Sequence, residues 1–162
     1  MPKIFTTLAA ALTAGLLSAG CAVQNIQPGA TREEVISRYG QPSNVVSLAS
    51  GTRLQYSRQP AGQYALMVDL DAANRVISAR QVLNPADFAR VVPGQWSRQD
   101  VEREFGRPAS MGRVGSWAGD IMTYRWLDVD QPMYFWVYLD AANIVRRTGQ
   151  GMEFPVLRED DR

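Results

Sequence analysis

The sequence contains no histidine and one cysteine, Cys21. Ser-His-Asp and Cys-His nucleophilic systems are thereby excluded, as are zinc sites built on imidazole or thiolate. No disulfide can close within the chain. Lysine is nearly absent as well: Lys3 is the only one among 17 basic residues, which face 16 acidic ones. Charge is balanced, and nothing forms the basic stripe that a nucleic-acid partner or an anionic lipid surface would need. No glycine-rich phosphate loop of the Walker or dinucleotide type occurs, so no cofactor is expected beyond a covalent lipid. Only carboxylates remain as candidates for acid-base chemistry.

The one long apolar run lies at the start. Lys3 precedes Ile4 to Leu17, which is diluted by Thr6, Thr7, Thr13 and Gly15 and ends in Ser18, Ala19 and Gly20. A membrane-spanning helix needs about 20 strongly apolar residues, so this run reads as a cleaved secretory signal over residues 1–20. Leu17-Ser18-Ala19-Gly20-Cys21 resembles the bacterial lipobox, with Ser18 in the place usually held by leucine and Leu17 one position further out. That resemblance implies palmitate-type acylation of Cys21 and a lipidated tether over 21–25. A single acyl chain holds only weakly; lipoproteins of this type carry three, which implies firm anchoring. Ala22, where aspartate would favour retention, fits export to the outer membrane with the protein facing the periplasm.

The rest of the chain is one unit written twice. Ile26-Gln-Pro-Gly29 is answered by Val91-Val-Pro-Gly94, Thr31-Arg-Glu-Glu-Val35 by Ser97-Arg-Gln-Asp-Val101, and Tyr39-Gly-Gln-Pro42 by Phe105-Gly-Arg-Pro108. Tyr56 recurs as Tyr124, and Leu70-Asp-Ala-Ala-Asn74 returns unchanged as Leu139-Asp-Ala-Ala-Asn143. The offset grows from 65 to 69 residues, in steps that fall in loop-like stretches. A period near 66 exceeds that of ordinary solenoid repeats, which predicts two copies of a small subdomain rather than an array. The copies span 26–83 and 84–150, and a tail over 151–162 is expected to be disordered.

Each copy opens with a capped helix. Thr31 with Glu34, and Ser97 with Asp100, form capping boxes. Val35, Ile36 and Tyr39, like Val101 and Phe105, recur at helical spacing. Gly40 and Gly106 suit a left-handed C-cap, and Pro42 and Pro108 forbid continuation. Alternating runs follow: 44–48, 53–58, 63–70 and 75–82 in the first copy, then 121–127, 132–139 and 144–148, with a vaguer run near 111–114, in the second. Asp71 and Asp140 open turns in which Asn74 and Asn143 accept the left-handed conformation. Between the copies, 84–92 predicts a short helix through Phe88. The fold class is therefore α+β: two tandem repeats of a short helical segment packed on a three- to four-stranded antiparallel meander.

A lipobox followed by Ile-x-x-Gly, a helix ending in Gly-x-Pro, a tyrosine strand and an apolar strand running into Asp and Asn resembles the SmpA/OmlA (BamE-like) family of outer-membrane lipoproteins. The tandem pair also resembles the β-lactamase inhibitor protein-like fold. The first resemblance implies a non-catalytic protein-interaction module, accessory to outer-membrane β-barrel assembly or envelope integrity, with that machinery as the partner. The second implies an inhibitor that grips an envelope or secreted enzyme through a sheet face.

Aligning the copies at Asp71 and Asp140 sets Leu66, Val68 and Leu70 against Phe135, Val137 and Leu139, which should face the helices. The opposite face carries Ala65, Met67 and Asp69 in one copy and Tyr134, Trp136 and Tyr138 in the other. All four tryptophans and most other aromatics lie in the second copy. Tyr134, Trp136 and Tyr138, with Thr123, Arg125 and the loop residue Trp117, are thus the candidate protein-binding residues. The bland alternative is that these rings cover the other copy. Asp69 and Asp71 lie two apart on one strand and Asp128 and Asp130 flank another, spacings that raise paired-carboxylate hydrolysis of glycan. Turn chemistry explains Asp71, and a hairpin explains the second pair, so no enzymatic activity and no metal site are expected.

Overall fold

The structure, a computed structural model, describes residues 26–154; the signal at 1–20, Cys21, the 21–25 tether and residues 155–162 lie outside the described residues. Along the chain come α1 (Arg32–Tyr39), β1 (Asn44–Leu48), β2 (Gly51–Ser57), β3 (Ala65–Leu70), β4 (Val76–Gln81) and α2 (Pro85–Phe88). Then follow α3 (Arg98–Phe105), β5 (Ser110–Gly112), β6 (Ile121–Asp128), β7 (Gln131–Leu139) and β8 (Val145–Met152). The strands form two four-stranded sheets, β1-β2-β3-β4 and β5-β6-β7-β8, with every neighbouring pair antiparallel. The fold is α+β, each sheet a meander.

The duplication holds down to single hydrogen bonds. Thr31 and Ser97 each accept the backbone N–H three residues on at 3.2 Å, while Glu34 and Asp100 accept the cap N–H at 2.7 and 2.8 Å. Asp71 Oδ1 accepts the N–H groups of Ala73 and Arg75, and Asp140 Oδ1 those of Ala142 and Ile144, all within 3.0 Å. Asn74 and Asn143 then take φ of 59° and 60°, as the turn requires. The repeated tyrosine also finds its reason: Tyr56 donates to the Gly40 carbonyl at 3.2 Å and Tyr124 to the Gly106 carbonyl at 2.8 Å. Phenol and helix stop were duplicated as one device.

One detail departs from expectation. Gly40 and Gly106 do not adopt the left-handed helical cap; both take φ 79° with ψ −168° and −167°. That combination is essentially closed to side-chain-bearing residues. It sends the chain straight out of the helix toward Pro42 and Pro108 instead of winding one residue further. A second glycine pair was not singled out from the sequence: a Cβ on Gly51 or Gly119 would lie 2.1 or 1.9 Å from the carbonyl oxygen of Leu70 or Leu139.

Two cores result. Val35 of α1 packs with Leu54, Leu66, Val68, Leu70, Val76 and Ile26. Val101 and Phe105 of α3 pack with Met122, Tyr124, Trp126, Phe135, Val137 and Leu139. Phe88, brought in by the Asn84-capped α2, stacks on Phe135 with ring centroids 3.9 Å apart. The second core also takes Ala65 and Met67, from the β3 face opposite α1, together with Val82 and Leu83. So α3 lies between the sheets, and the order of layers is α1, first sheet, α3 with α2, second sheet.

Polar groups of the first sheet hold that seam. Arg53 and Asp69 stand opposite each other on β2 and β3, and Arg53 Nε and Nη2 reach the carboxylate at 2.6 and 2.9 Å. Arg53 Nη1 then donates to the Arg103 carbonyl at 3.1 Å and lies 3.1 Å from Glu104. Gln55 Nε2 donates to the Glu102 and Arg103 carbonyls at 2.9 and 3.0 Å. In the last turn of α3 the Glu102 carbonyl also accepts the Gly106 N–H at 2.9 Å, while the Arg103 carbonyl is satisfied by a cation and an amide from the other copy. Hydrogen bonding to Asp69 raises the Arg53 pKa despite the opposing effect of burial.

The tail corrects the sequence reading. Residues Gly151 and Met152 belong to β8, Glu153 N–H donates to the Pro132 carbonyl at 2.9 Å, and the Glu153 carboxylate meets Arg125 at 2.8 Å and Gln63 at 3.1 Å. The sequence run fades at Thr148 because Gly149 and Gly151 are poor strand formers. Trp136 supplies what they lack: its six-membered ring lies over both, within 2.8 Å of where a Gly151 Cβ would stand.

Candidate functional site

The outer face of the second sheet follows from register. Ile121, Thr123 and Arg125 on β6 stand opposite Tyr138, Trp136 and Tyr134 on β7, which stand opposite Arg147, Gly149 and Gly151 on β8. The interleaved residues Met122, Tyr124, Trp126, Phe135 and Val137 point the other way and are buried against α3 and α2. Alternation along a strand therefore leaves Tyr134, Trp136, Tyr138, Thr123 and Arg125 on one half-buried surface.

The rings meet in two pairs along β7. Tyr134 and Trp136 have centroids 5.7 Å apart, and Trp117 meets Tyr138 edge-on at 5.4 Å. Trp117 is fixed from its loop by a 2.7 Å hydrogen bond from Nε1 to the Leu139 carbonyl. Arg147 was not foreseen; its guanidinium lies 4.0 Å above the Tyr138 centroid and 5.4 Å from that of Trp117. Among the described residues no carboxylate pairs with it. The signal was available, since Arg147, Gly149 and Gly151 share the parity that puts them beside the β7 rings.

Arg125 is placed on this face but is committed elsewhere. Its guanidinium meets Glu153 at 2.8 Å and the Pro60 carbonyl at 2.7 Å. Its backbone N–H and carbonyl are taken by the two ends of the Gln59 side-chain amide, at 3.1 and 2.6 Å. Beyond the short β5 the edge of β6 would lie open; one amide from the first copy closes it. Arg125 thus clamps the copies together at the rim.

The two carboxylate pairs have ordinary surroundings. Asp69 is bound to Arg53 and Asp71 is in its turn, while Asp128 and Asp130 flank the exposed Val129, where φ is 55°. A groove of about 620 Å³ between the copies is lined by Ser43, Asn44, Gln55, Arg98, Glu102 and neighbours. Its polar groups largely satisfy one another, as in the Asn44–Gln55 and Arg98–Glu102 contacts at 3.1 and 2.9 Å.

No protein-family model matches this chain, and no curated protein matches it. Among solved structures the chain is similar to a DUF4309-family protein, YjgB, from Bacillus subtilis, with 11% identity, 76% of this chain and 78% of that one covered, and a TM-score of 0.32.

Proposed function

We propose that this protein is a non-catalytic outer-membrane lipoprotein, held by lipid on Cys21 and facing the periplasm, that acts as a protein-interaction module through the outer face of its second sheet. The lipobox-like residues before Cys21 support the anchor, and the SmpA/OmlA-like motifs in both copies support an envelope partner, with the β-barrel assembly machinery as the first candidate.

One observation carries the reading. The duplication makes the outer faces of the two sheets equivalent: Arg53, Met67 and Asp69 correspond to Ile121, Trp136 and Tyr138. In the first copy that face is covered by α3 and the second core. In the second copy the same face is left without a covering layer among the described residues, and there the polar clamp is replaced by rings and an unpaired arginine. Exposed tyrosine and tryptophan bury large area at small entropic cost when a partner arrives, which makes them the usual anchors of an interface.

The test is crosslinking of the lipidated protein in intact cells with mass spectrometry of its partners, beside Cys21→Ala and a Tyr134→Ala/Trp136→Ala double variant. Recovery of envelope proteins, lost in both variants while the double variant stays folded, is the expected result. Unchanged capture by the double variant would remove the proposed face. Capture of one soluble enzyme whose activity falls would make the protein an inhibitor instead.

A further inference from the structure

On the reading that the second sheet's outer face receives a protein, the geometry points to how the partner binds: as an extended antiparallel strand added to the free edge of β8, with an acidic residue opposite Arg147 and large apolar residues opposite Gly149 and Gly151.

The hydrogen-bond ladder defines the free edge. Glu153 N–H donates to the Pro132 carbonyl, and Leu139 N–H to the Asp120 carbonyl. In an antiparallel ladder this alternation turns the backbone groups of residues 147, 149, 151 and 153 toward β7. Those of Thr148, Gln150 and Met152 point away from the sheet. The start of β8 is covered, because Val145 exchanges hydrogen bonds with Gly94 and Trp96 at 2.7 and 2.8 Å. Beyond it, among the described residues, nothing pairs with Thr148, Gln150 or Met152.

Edges are usually defended by charge, proline, a bulge or a covering element. β6 has its Gln59 cover. The stretch Thr148-Gly-Gln-Gly-Met152 has no charge and no proline, and its one bulge lies behind it, at Tyr138/Leu139. An undefended edge beside an aromatic face is the arrangement on which strand addition works: the backbone supplies affinity and alternate side chains supply selection.

The side chains specify the occupant. On an added strand, the residues opposite 147, 149 and 151 occupy non-hydrogen-bonded positions, where paired Cα atoms come within about 4.5 Å and side chains are closest. Because Gly149 and Gly151 lack side chains, the Trp136 ring reaches over them from β7, so an apolar residue arriving at the edge meets that ring rather than backbone. Arg147 sits with its guanidinium carbon 4.0 Å over the Tyr138 ring, keeps its N–H groups free of any carboxylate among the described residues, and has Tyr138 rather than an acid as its cross-strand partner. A guanidinium fixed in this way favours carboxylate recognition. Read antiparallel to β8, the partner segment runs large apolar, any, large apolar, any, acidic.

The test uses the full mature chain, residues 21–162, with Cys21→Ser to keep it free of lipid, and a labelled peptide Thr-Phe-Thr-Val-Thr-Asp-Thr followed by fluorescence anisotropy. The same peptide with lysine for aspartate serves as the charge-reversed partner. Binding should be weakened at least about tenfold by Arg147→Glu and restored by the lysine peptide on that variant, since close charge pairs discriminate strongly. Gln150→Pro removes only an outward N–H and leaves the β7 ladder intact, so it should fold and lose the peptide. Amide exchange at Thr148, Gln150 and Met152 should slow on binding. No binding, or binding indifferent to both Gln150→Pro and the charge swap, overturns the proposal, as does edge protection already present in the full mature chain, which would assign the edge to residues 155–162 or to a second copy. If these fail while Tyr134→Ala/Trp136→Ala still loses the cellular partner, only the strand mode is wrong; if that double variant captures normally, the face itself is.

Discussion

The two sheets grew from one sequence unit, yet among the described residues the first is covered on both faces and the second on one. On β3, Leu66, Val68 and Leu70 serve α1 while Ala65, Met67 and Asp69 serve the other copy; five of its six residues are buried. On β7, Phe135, Val137 and Leu139 serve α3 while Tyr134, Trp136 and Tyr138 serve nothing described. The difference teaches that equivalent positions diverged according to what lies above them. Small and charged groups were kept where a helix end must be received, and rings accumulated where the layer ends.

The sharpest way to break this comparison is at Arg53, the buried cation that joins Asp69, Glu104 and the end of α3. Arg53→Ala strips Asp69 of its cation, while Glu104 keeps Arg80, Arg90 and Arg103 at 3.7–3.9 Å, and should cost about 3–5 kcal/mol in urea unfolding. The equivalent change in the second copy, Ile121→Ala, touches no ionic group and should cost less. Equal losses would show that the clamp does not define the seam.

Met67 and Trp136 occupy equivalent positions and invert the usual ranking by size. Met67 is 1% exposed and its methyl lies 3.4 Å from where a Gly106 Cβ would be, so Met67→Ala should cost roughly 2–5 kcal/mol. Trp136 has one side toward solvent, and Trp136→Ala should destabilise less while removing partner capture. A larger loss at Trp136 would mean that the face is core after all.

The seam should also be one of the acid-sensitive parts of the molecule. Burial alone would raise the pKa of Asp87, but hydrogen bonds from Arg80, Asn84 and Arg90 outweigh it and hold the group below its ordinary value. A carboxylate with a depressed folded pKa contributes its full stability above the unfolded value of about 3.9 and loses it as pH falls toward the folded one. Stability should therefore decline below about pH 4, and Asp87→Asn should flatten that decline at a cost near neutrality of about 1.5–3 kcal/mol. Unfolding midpoints measured down the pH scale for both proteins decide it; parallel curves would clear Asp87 of the effect.

Much of the fold was legible because its signals are local. Capping boxes at Thr31 and Ser97, Asp turns at 71 and 140 and the alternation of β3 and β7 are set by residues within a few positions of one another. What escaped were consequences of distance. Nothing near Arg53 or Gln55 announces that they will meet carbonyls of α3 some fifty residues on. Gly149 and Gly151 look like the end of a strand until Trp136 from the neighbouring strand is laid over them. The candidate face was legible by parity from Tyr134, Trp136 and Tyr138; Arg147 lay within the run read over 144–148, but its pairing with Tyr138 depends on the register past the Tyr138/Leu139 bulge, which no local signal sets.

The finest test of the comparison lies in the duplicated tyrosines, which make the same hydrogen bond in two surroundings. Tyr124 is fully buried, and desolvation pushes its phenol well above its usual pKa, while Tyr56 stands half-buried beside α1. Removing the hydroxyl from Tyr124 strands the Gly106 carbonyl beneath the first sheet, away from water, so Tyr124→Phe should cost about 0.5–1.5 kcal/mol. At Tyr56 the exposed Gly40 carbonyl is open to water, which replaces the lost donor, and Tyr56→Phe should cost measurably less. The ordering matters more than either value. It follows solely from α3 being enclosed between two sheets while α1 has one, so equal costs in paired thermal unfolding experiments would contradict the layer order itself.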